Sequence, residues 1–122
     1  MRYGIADVEY FFKRTLQKTR YDAVNRRNLN FDLTTDCVIR MFFNQQGKCA
    51  LTGWEMELER GGDFKNGKNP RVATMDRLDN NLGYVASNIQ LTCAWPNFLK
   101  GGTNNDVFLD LCKLIVDHNF KK

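Results

Sequence analysis

Five polar residues stand in sequence in the second half of this 122-residue chain, in the order Asp76-Arg77-x10-Asn88-x8-Asn97-x2-Lys100. A carboxylate and a carboxamide brought together give two hard oxygen donors, the chemistry that suits Mg²⁺ or Mn²⁺ rather than a soft metal. Lys100 adds a positive charge three residues beyond Asn97, on the same side of any helix that carries both. Arg77 directly follows the carboxylate and stays protonated at any neutral pH.

The surrounding residues predict how these groups are placed. Arg71 to Lys100 reads as strand, tight turn, strand and helix. Val72, Ala73 and Met75 form a first apolar run that ends at Asp76-Arg77. Asn80-Asn81-Leu82-Gly83 breaks the chain, because Asn and Gly tolerate positive φ. A second run extends from Tyr84-Val85 through Asn88-Ile89-Gln90-Leu91. Cys93 to Leu99 then reads as a short helix, opened by Trp95-Pro96 and stopped at Gly101-Gly102. A hairpin folded at Gly83 sets its strands about 5 Å apart. A helix laid across it can aim Asn97 at the strand end that carries Asp76.

This pattern resembles the HNH, or ββα-metal, nuclease motif, whose usual form is D-H…N…H or D-H…N…N with a trailing Lys. The strings GKCALTGWEMEL and ATMDRLDNNLGYVASNIQLTC are similar to free-standing HNH proteins of bacteriophages, and the resemblance runs from about Phe42 to Asp110. It implies an α+β fold and a phage-encoded, metal-dependent endonuclease that hydrolyses phosphodiester bonds in DNA. Asp76 and Asn97 would be the metal ligands, Asn88 would hold the loop that positions the base, and Lys100 would contact phosphate. Arg77 stands where the family has its general-base His, and a guanidinium cannot accept a proton there. It can grip a phosphate bidentately and stabilise transition-state charge. Three outcomes follow: another base (Asp79, Tyr84 or a metal-bound hydroxide), slow hydrolysis helped by Arg77 only electrostatically, or a module that binds nucleic acid or a host protein without cutting. Many relatives carry a zinc knuckle made of two C-x2-C pairs. Here those places read Cys49-Ala-Leu-Thr52 and Cys93-Ala-Trp-Pro96, one thiol short in each, so no structural zinc is expected.

Composition is compatible with this reading without requiring it. The net charge of +4 and sequence pI of about 9.0 suit a polyanionic partner. The apolar runs are far shorter than a membrane span, and the N-terminus lacks a signal-peptide core, so a cytoplasmic protein is expected. The length suggests one domain, 1–122: a helical part over 1–47, the ββα core over 48–102 and a C-terminal helix over 103–122.

The remaining segments supply supports. Ile5, Val8, Phe12 and Leu16 predict an amphipathic helix over 5–18. Arg20, Arg26 and Arg27 follow in a stretch that reads equally as a phosphate-contacting arm or a solvated connector. Thr34 or Thr35 would cap a second helix, DCVIRMFFNQQ, stopped by Gly47. Trp54 is expected to pack, and Glu55, Glu57 and Glu59 to face solvent. Lys65, Lys68 and Arg71, in and beside the Gly/Asn-rich loop 60–70, are expected to touch the phosphate backbone. Thr103-Asn-Asn-Asp106 reads as a capping box opening a last helix whose Phe108, Leu111, Cys112 and Ile115 form an apolar face.

Overall fold

Two helices form the base of the molecule, and the order of apolar residues explains why. In the computed structural model, which describes residues 2–62 and 67–121, α1 spans Ile5–Tyr21 and buries Val8, Phe11, Phe12 and Leu16. The chain then tightens through a π-helical turn, Asp22–Arg26, that extends the expected helix beyond residue 18. α2 spans Thr35–Asn44 and buries Val38, Ile39 and Phe42. Its start is fixed by the Thr34 hydroxyl, which accepts from the Cys37 N–H at 3.1 Å. Phe12 meets Phe42 edge-on at 6.0 Å, joining the helices.

Above them lies the hairpin. β2 (Ala73–Arg77) pairs antiparallel with β4 (Ile89–Cys93), in the register Ala73↔Cys93, Met75↔Leu91 and Arg77↔Ile89. Side chains alternate across such a ladder. Ala73, Met75, Ile89, Leu91 and Cys93 are buried with the apolar residues of α1 and α2, while Thr74, Asp76, Gln90 and Thr92 share the opposite face. Gln45, just past α2, staples the edge of β4: its Nε2 donates to the Leu91 carbonyl at 2.9 Å and its Oε1 accepts from the Leu91 N–H at 3.1 Å. α3 (Ala94–Lys100) follows β4 directly and crosses the polar face.

The returning strand differs from the sequence expectation. Tyr84–Val85 does not continue into the hairpin; it forms β3, which pairs in parallel with β1 (Phe31–Asp32). A 3-10 turn, Ala86–Asn88, separates it from β4. Asn88 therefore sits at the corner before the strand rather than on it. Gly83 is also required for a different reason than a left-handed backbone. A Cβ there would lie 2.3 Å from the Asn30 carbonyl oxygen, which accepts the Tyr84 N–H at 2.8 Å. Glycine lets β1 and β3 approach.

α4 (Asn105–Asn119) closes the chain, and none of its described residues is buried. Its expected capping box is absent. Asn104 occupies the N-cap position, and its Oδ1 accepts instead from the Asn80 N–H at 2.8 Å.

Candidate metal and nucleic-acid site

The face of β2 and β4 that α3 covers is lined by side chains which hydrogen-bond one another. Thr74 and Thr92 stand opposite each other, with their hydroxyls 3.1 Å apart. Asn97, reaching down from α3, donates from Nδ2 to Thr74 Oγ1 at 2.9 Å. Two residues along β2 and on the same face, Asp76 is buried, and its Oδ2 accepts from Gln90 Nε2 at 2.8 Å. Gln90 also donates to Asn105 Oδ1 at 3.0 Å, which ties the first residue of α4 to this face.

Lys100 does not sit where a phosphate-contacting lysine should. Its side chain has no exposed surface, and Nζ donates to Asp76 Oδ2 at 2.7 Å and to the Arg77 carbonyl at 2.9 Å. One turn of α3 after Asn97 points it inward, over the end of the strand. Held by the carboxylate in this way, the ammonium does not face solvent, and phosphate contact would require Lys100 to leave Asp76. It also marks a cation position lined by a carboxylate and a carbonyl oxygen, with the Asn97 carboxamide on the same face.

That observation decides the fit of a divalent ion. Carboxylate, carbonyl and carboxamide oxygens are the donors that Mg²⁺ and Mn²⁺ take, so the residues suit such an ion once Lys100 has moved aside. The two cations exclude each other. At about 3–4 Å and an effective dielectric of about 20, a divalent ion and an ammonium repel by on the order of 10 kcal/mol.

Arg77 leaves β2 on the other face. Its Nη1 donates to the carbonyls of Asn80 and Leu82 at 2.9 and 3.0 Å, and its guanidinium carbon lies 5.5 Å from the centre of the Tyr84 ring. The loop it grips is closed by Asn88, whose Oδ1 accepts from the Asp79 N–H at 2.9 Å. Asn88 Nδ2 donates to the Asp79 and Gly83 carbonyls, each at 3.0 Å. The two candidate substitute bases are engaged as well. Asp79 Oδ1 accepts from the Asn81 N–H at 2.9 Å, and the Tyr84 hydroxyl accepts from Arg27 Nη1 at 3.5 Å.

The basic residues fall in two groups. Arg71 lies over the Trp54 ring at 4.6 Å, and Trp54 in turn packs near Trp95. Lys68 lines a cleft of about 760 Å³ with Arg14, Lys18, Arg60, Thr74 and Ala94. Lys65 lies outside the described residues. Arg14, Lys18 and Arg60 were not singled out from the sequence as phosphate contacts. The first two recur at helical spacing on α1, but only the fold brings Arg60 to them. Arg60 donates to Thr15 Oγ1 at 2.6 Å, and burial together with the nearby Arg14 charge lowers its pKa. The carboxylates at 57 and 59 are taken up structurally, by Asn69 on Glu57 and by Tyr3 on Glu59.

The two thiols from the truncated C-x2-C positions meet. The Cys93 N–H donates to Cys49 Sγ at 3.2 Å. Hydrogen bonding from the Cys93 thiol lowers the Cys49 pKa to about 5, and the same bond, with burial, raises that of Cys93. Among the described residues no group of three or more His, Cys, Asp or Glu side chains is placed to hold a metal.

No family model matches the chain, and no curated protein matches it by sequence. Among solved structures, its fold is similar to that of the rare-cutting HNH restriction endonuclease PacI. The TM-score is 0.63, covering 88% of this chain and 78% of that one at 20% identity. The architecture, an α+β arrangement of hairpin and helices, is thus that of an HNH endonuclease. No helix among the described residues is long and apolar enough to cross a membrane.

Proposed function

We propose that this chain is a metal-dependent endonuclease that hydrolyses phosphodiester bonds in DNA. The observation that supports the reading is that Asp76 and Asn97 lie on one face of an HNH-like hairpin and helix, with the Lys100 ammonium already bound to Asp76. With Lys100 withdrawn, Asp76, the Arg77 carbonyl and Asn97 would hold Mg²⁺ or Mn²⁺, which supplies Lewis-acid stabilisation of charge on the phosphate and the leaving oxygen. Gln90 orients the Asp76 carboxylate, and Thr74 orients the Asn97 carboxamide. Asn88 and Arg77 hold the loop beside the strand end. Arg14, Lys18 and Lys68 line the wall along which a phosphate backbone would run. The likeness of the GKCALTG and ATMDRLDNN strings to free-standing phage proteins supports a phage-encoded enzyme acting in a host cytoplasm.

Nicking of supercoiled plasmid in Mg²⁺ or Mn²⁺ tests this. Wild type should nick, and Asp76→Ala and Asn97→Ala should lose that activity. Equal nicking by all three would assign the activity to another site or to a contaminant.

One observation favours a second reading, a module that binds nucleic acid without cutting. Arg77 replaces the family's base and is bonded to loop carbonyls, and its guanidinium cannot take a proton from water. This reading expects salt-sensitive DNA binding, unchanged in Asp76→Ala, and no cleavage in any divalent metal.

A further inference from the structure

Two thiols stand against each other at the root of α3, apart from the residues assigned to metal and nucleic acid. Cys49 follows α2 in a turn held along the outer edge of β4. Its neighbour Ala50 donates to the Leu91 carbonyl at 3.0 Å, and Gln45 Nε2 donates to the Lys48 and Leu91 carbonyls. Cys93 ends β4 and is the N-cap residue of α3, the helix that carries Asn97 and Lys100. Both cysteines belong to the core. The Cys93 N–H donates to Cys49 Sγ at 3.2 Å, and the Cys93 thiol donates to the same sulfur. Among the described residues no third His, Cys, Asp or Glu joins them to hold a metal, so each sulfur has the other as its reaction partner. Cys37 and Cys112 lie in α2 and α4.

We propose that Cys49 and Cys93 form a reversible disulfide on exposure to hydrogen peroxide, a clasp that fixes the start of α3 to the turn after α2. It acts whether or not the chain cuts DNA. The sulfurs need only close from hydrogen-bonding contact to the ~2.05 Å of a disulfide. Their roles differ. Hydrogen bonds from Cys93 and Thr52 favour the Cys49 thiolate, which makes it the nucleophile. Burial and its bond to Cys49 keep the Cys93 thiol protonated. Cys49 lies beneath a turn whose Ala50, Thr52 and Gly53 are exposed, and peroxide is small enough to enter there. The Cys49 thiolate attacks one peroxide oxygen, the O–O bond breaks, and the departing hydroxide takes a proton to become water. Cys49 then carries a sulfenic acid. The Cys93 sulfur displaces its hydroxyl as the S–S bond forms, and the Cys93 proton leaves with that hydroxyl as a second water. The thiols are oxidised by two electrons and the peroxide is reduced to two waters. The bond closes a loop over the 44 positions between the cysteines, enclosing β2 and Asp76, and so restricts the unfolded chain. In a reducing compartment such a bond is transient, as a redox sensor requires.

Intact-mass and peptide mapping of the full chain test this, in a Cys37→Ser, Cys112→Ser background that keeps both clasp thiols. After treatment with about 1 mM hydrogen peroxide at neutral pH the chain should lose about 2 Da and yield a linked Cys49–Cys93 peptide. Its melting temperature should rise by about 10 °C, and dithiothreitol should reverse both changes. Adding Cys93→Ser should leave Cys49 to gain oxygen, about 16 Da for each atom, with no such rise. Two thiols still free after treatment overturn the proposal. So does oxygen added to Cys49 without a linked peptide while Cys93 is present, or a linked chain that melts no higher than the reduced one.

Discussion

Replacing Lys100 with Met separates the stabilising role of the ammonium from its competition with a metal ion. Met keeps the apolar stem of the side chain in its buried slot but removes the charge that sits 2.7 Å from Asp76 Oδ2. Asp76 is then a buried carboxylate left with Gln90 as its side-chain donor. Removing one partner of a buried pair costs about 3–5 kcal/mol, because the other charge stays uncompensated. The retained Gln90 bond and the filled volume place this case near the lower end, about 3 kcal/mol. For a chain of this size that corresponds to a fall of roughly 10–15 °C in melting temperature in the presence of a chelator. A divalent ion bound at 100 times its dissociation constant returns about 2.7 kcal/mol, nearly all of the loss. Differential scanning calorimetry in EDTA and in Mn²⁺ should therefore show a variant that is destabilised without metal and rescued with it. Wild type should respond less, since an ion binding there must first displace Lys100 from Asp76. The double variant Asp76→Asn, Lys100→Met should not be rescued. Equal response of wild type and Lys100→Met to Mn²⁺, or no loss of stability in EDTA, would refute the reasoning.

Gly83→Ala forces a Cβ to within 2.3 Å of the Asn30 carbonyl, and should lower the unfolding free energy by about 3 kcal/mol in urea titrations; a change below about 0.5 kcal/mol would show that β1 and β3 part easily. The Cys49 pKa is depressed in the folded state. Its contribution to stability is therefore complete above the ordinary thiol range and is lost as pH falls through about 5. Cys93→Ala removes the donor, so the dependence of its melting temperature on pH between 5 and 8 should flatten relative to wild type, and an unchanged slope would contradict the pairing. An imidazole at position 77, unlike the guanidinium, can accept a proton near neutral pH. Arg77→His should accordingly raise the plasmid-nicking rate by about 10²–10⁴-fold; no rise would mean that the missing base is not what limits cleavage.

Much of the fold follows from local sequence. Thr34 caps α2 because a hydroxyl there accepts an N–H that the helix leaves unpaired. α3 ends at Gly101, whose φ of 56° suits glycine. The alternation of Thr74 and Asp76 with Ala73 and Met75 separates the polar face from the core before any partner is known. What could not be read locally depends on long-range approach. β3 leaves the hairpin because Asn30, more than fifty residues earlier, takes the Tyr84 N–H. Lys100 was legible as a charge on the face of Asn97, but its inward direction depends on where α3 crosses β2. The cleft of Arg14, Lys18, Arg60 and Lys68 is assembled from three separate segments. For α4, the pattern of Phe108, Leu111, Cys112 and Ile115 identifies an apolar face without saying whether the cover is this chain or another.

The most direct measurement is a crystal structure after soaking in Mn²⁺, with anomalous data at the manganese edge. The account predicts one ion bridged by the Asp76 carboxylate and the Asn97 carboxamide, with Lys100 Nζ displaced from Asp76 Oδ2. Lys100 still bonded to Asp76, with manganese absent from this face or bound elsewhere, would contradict it.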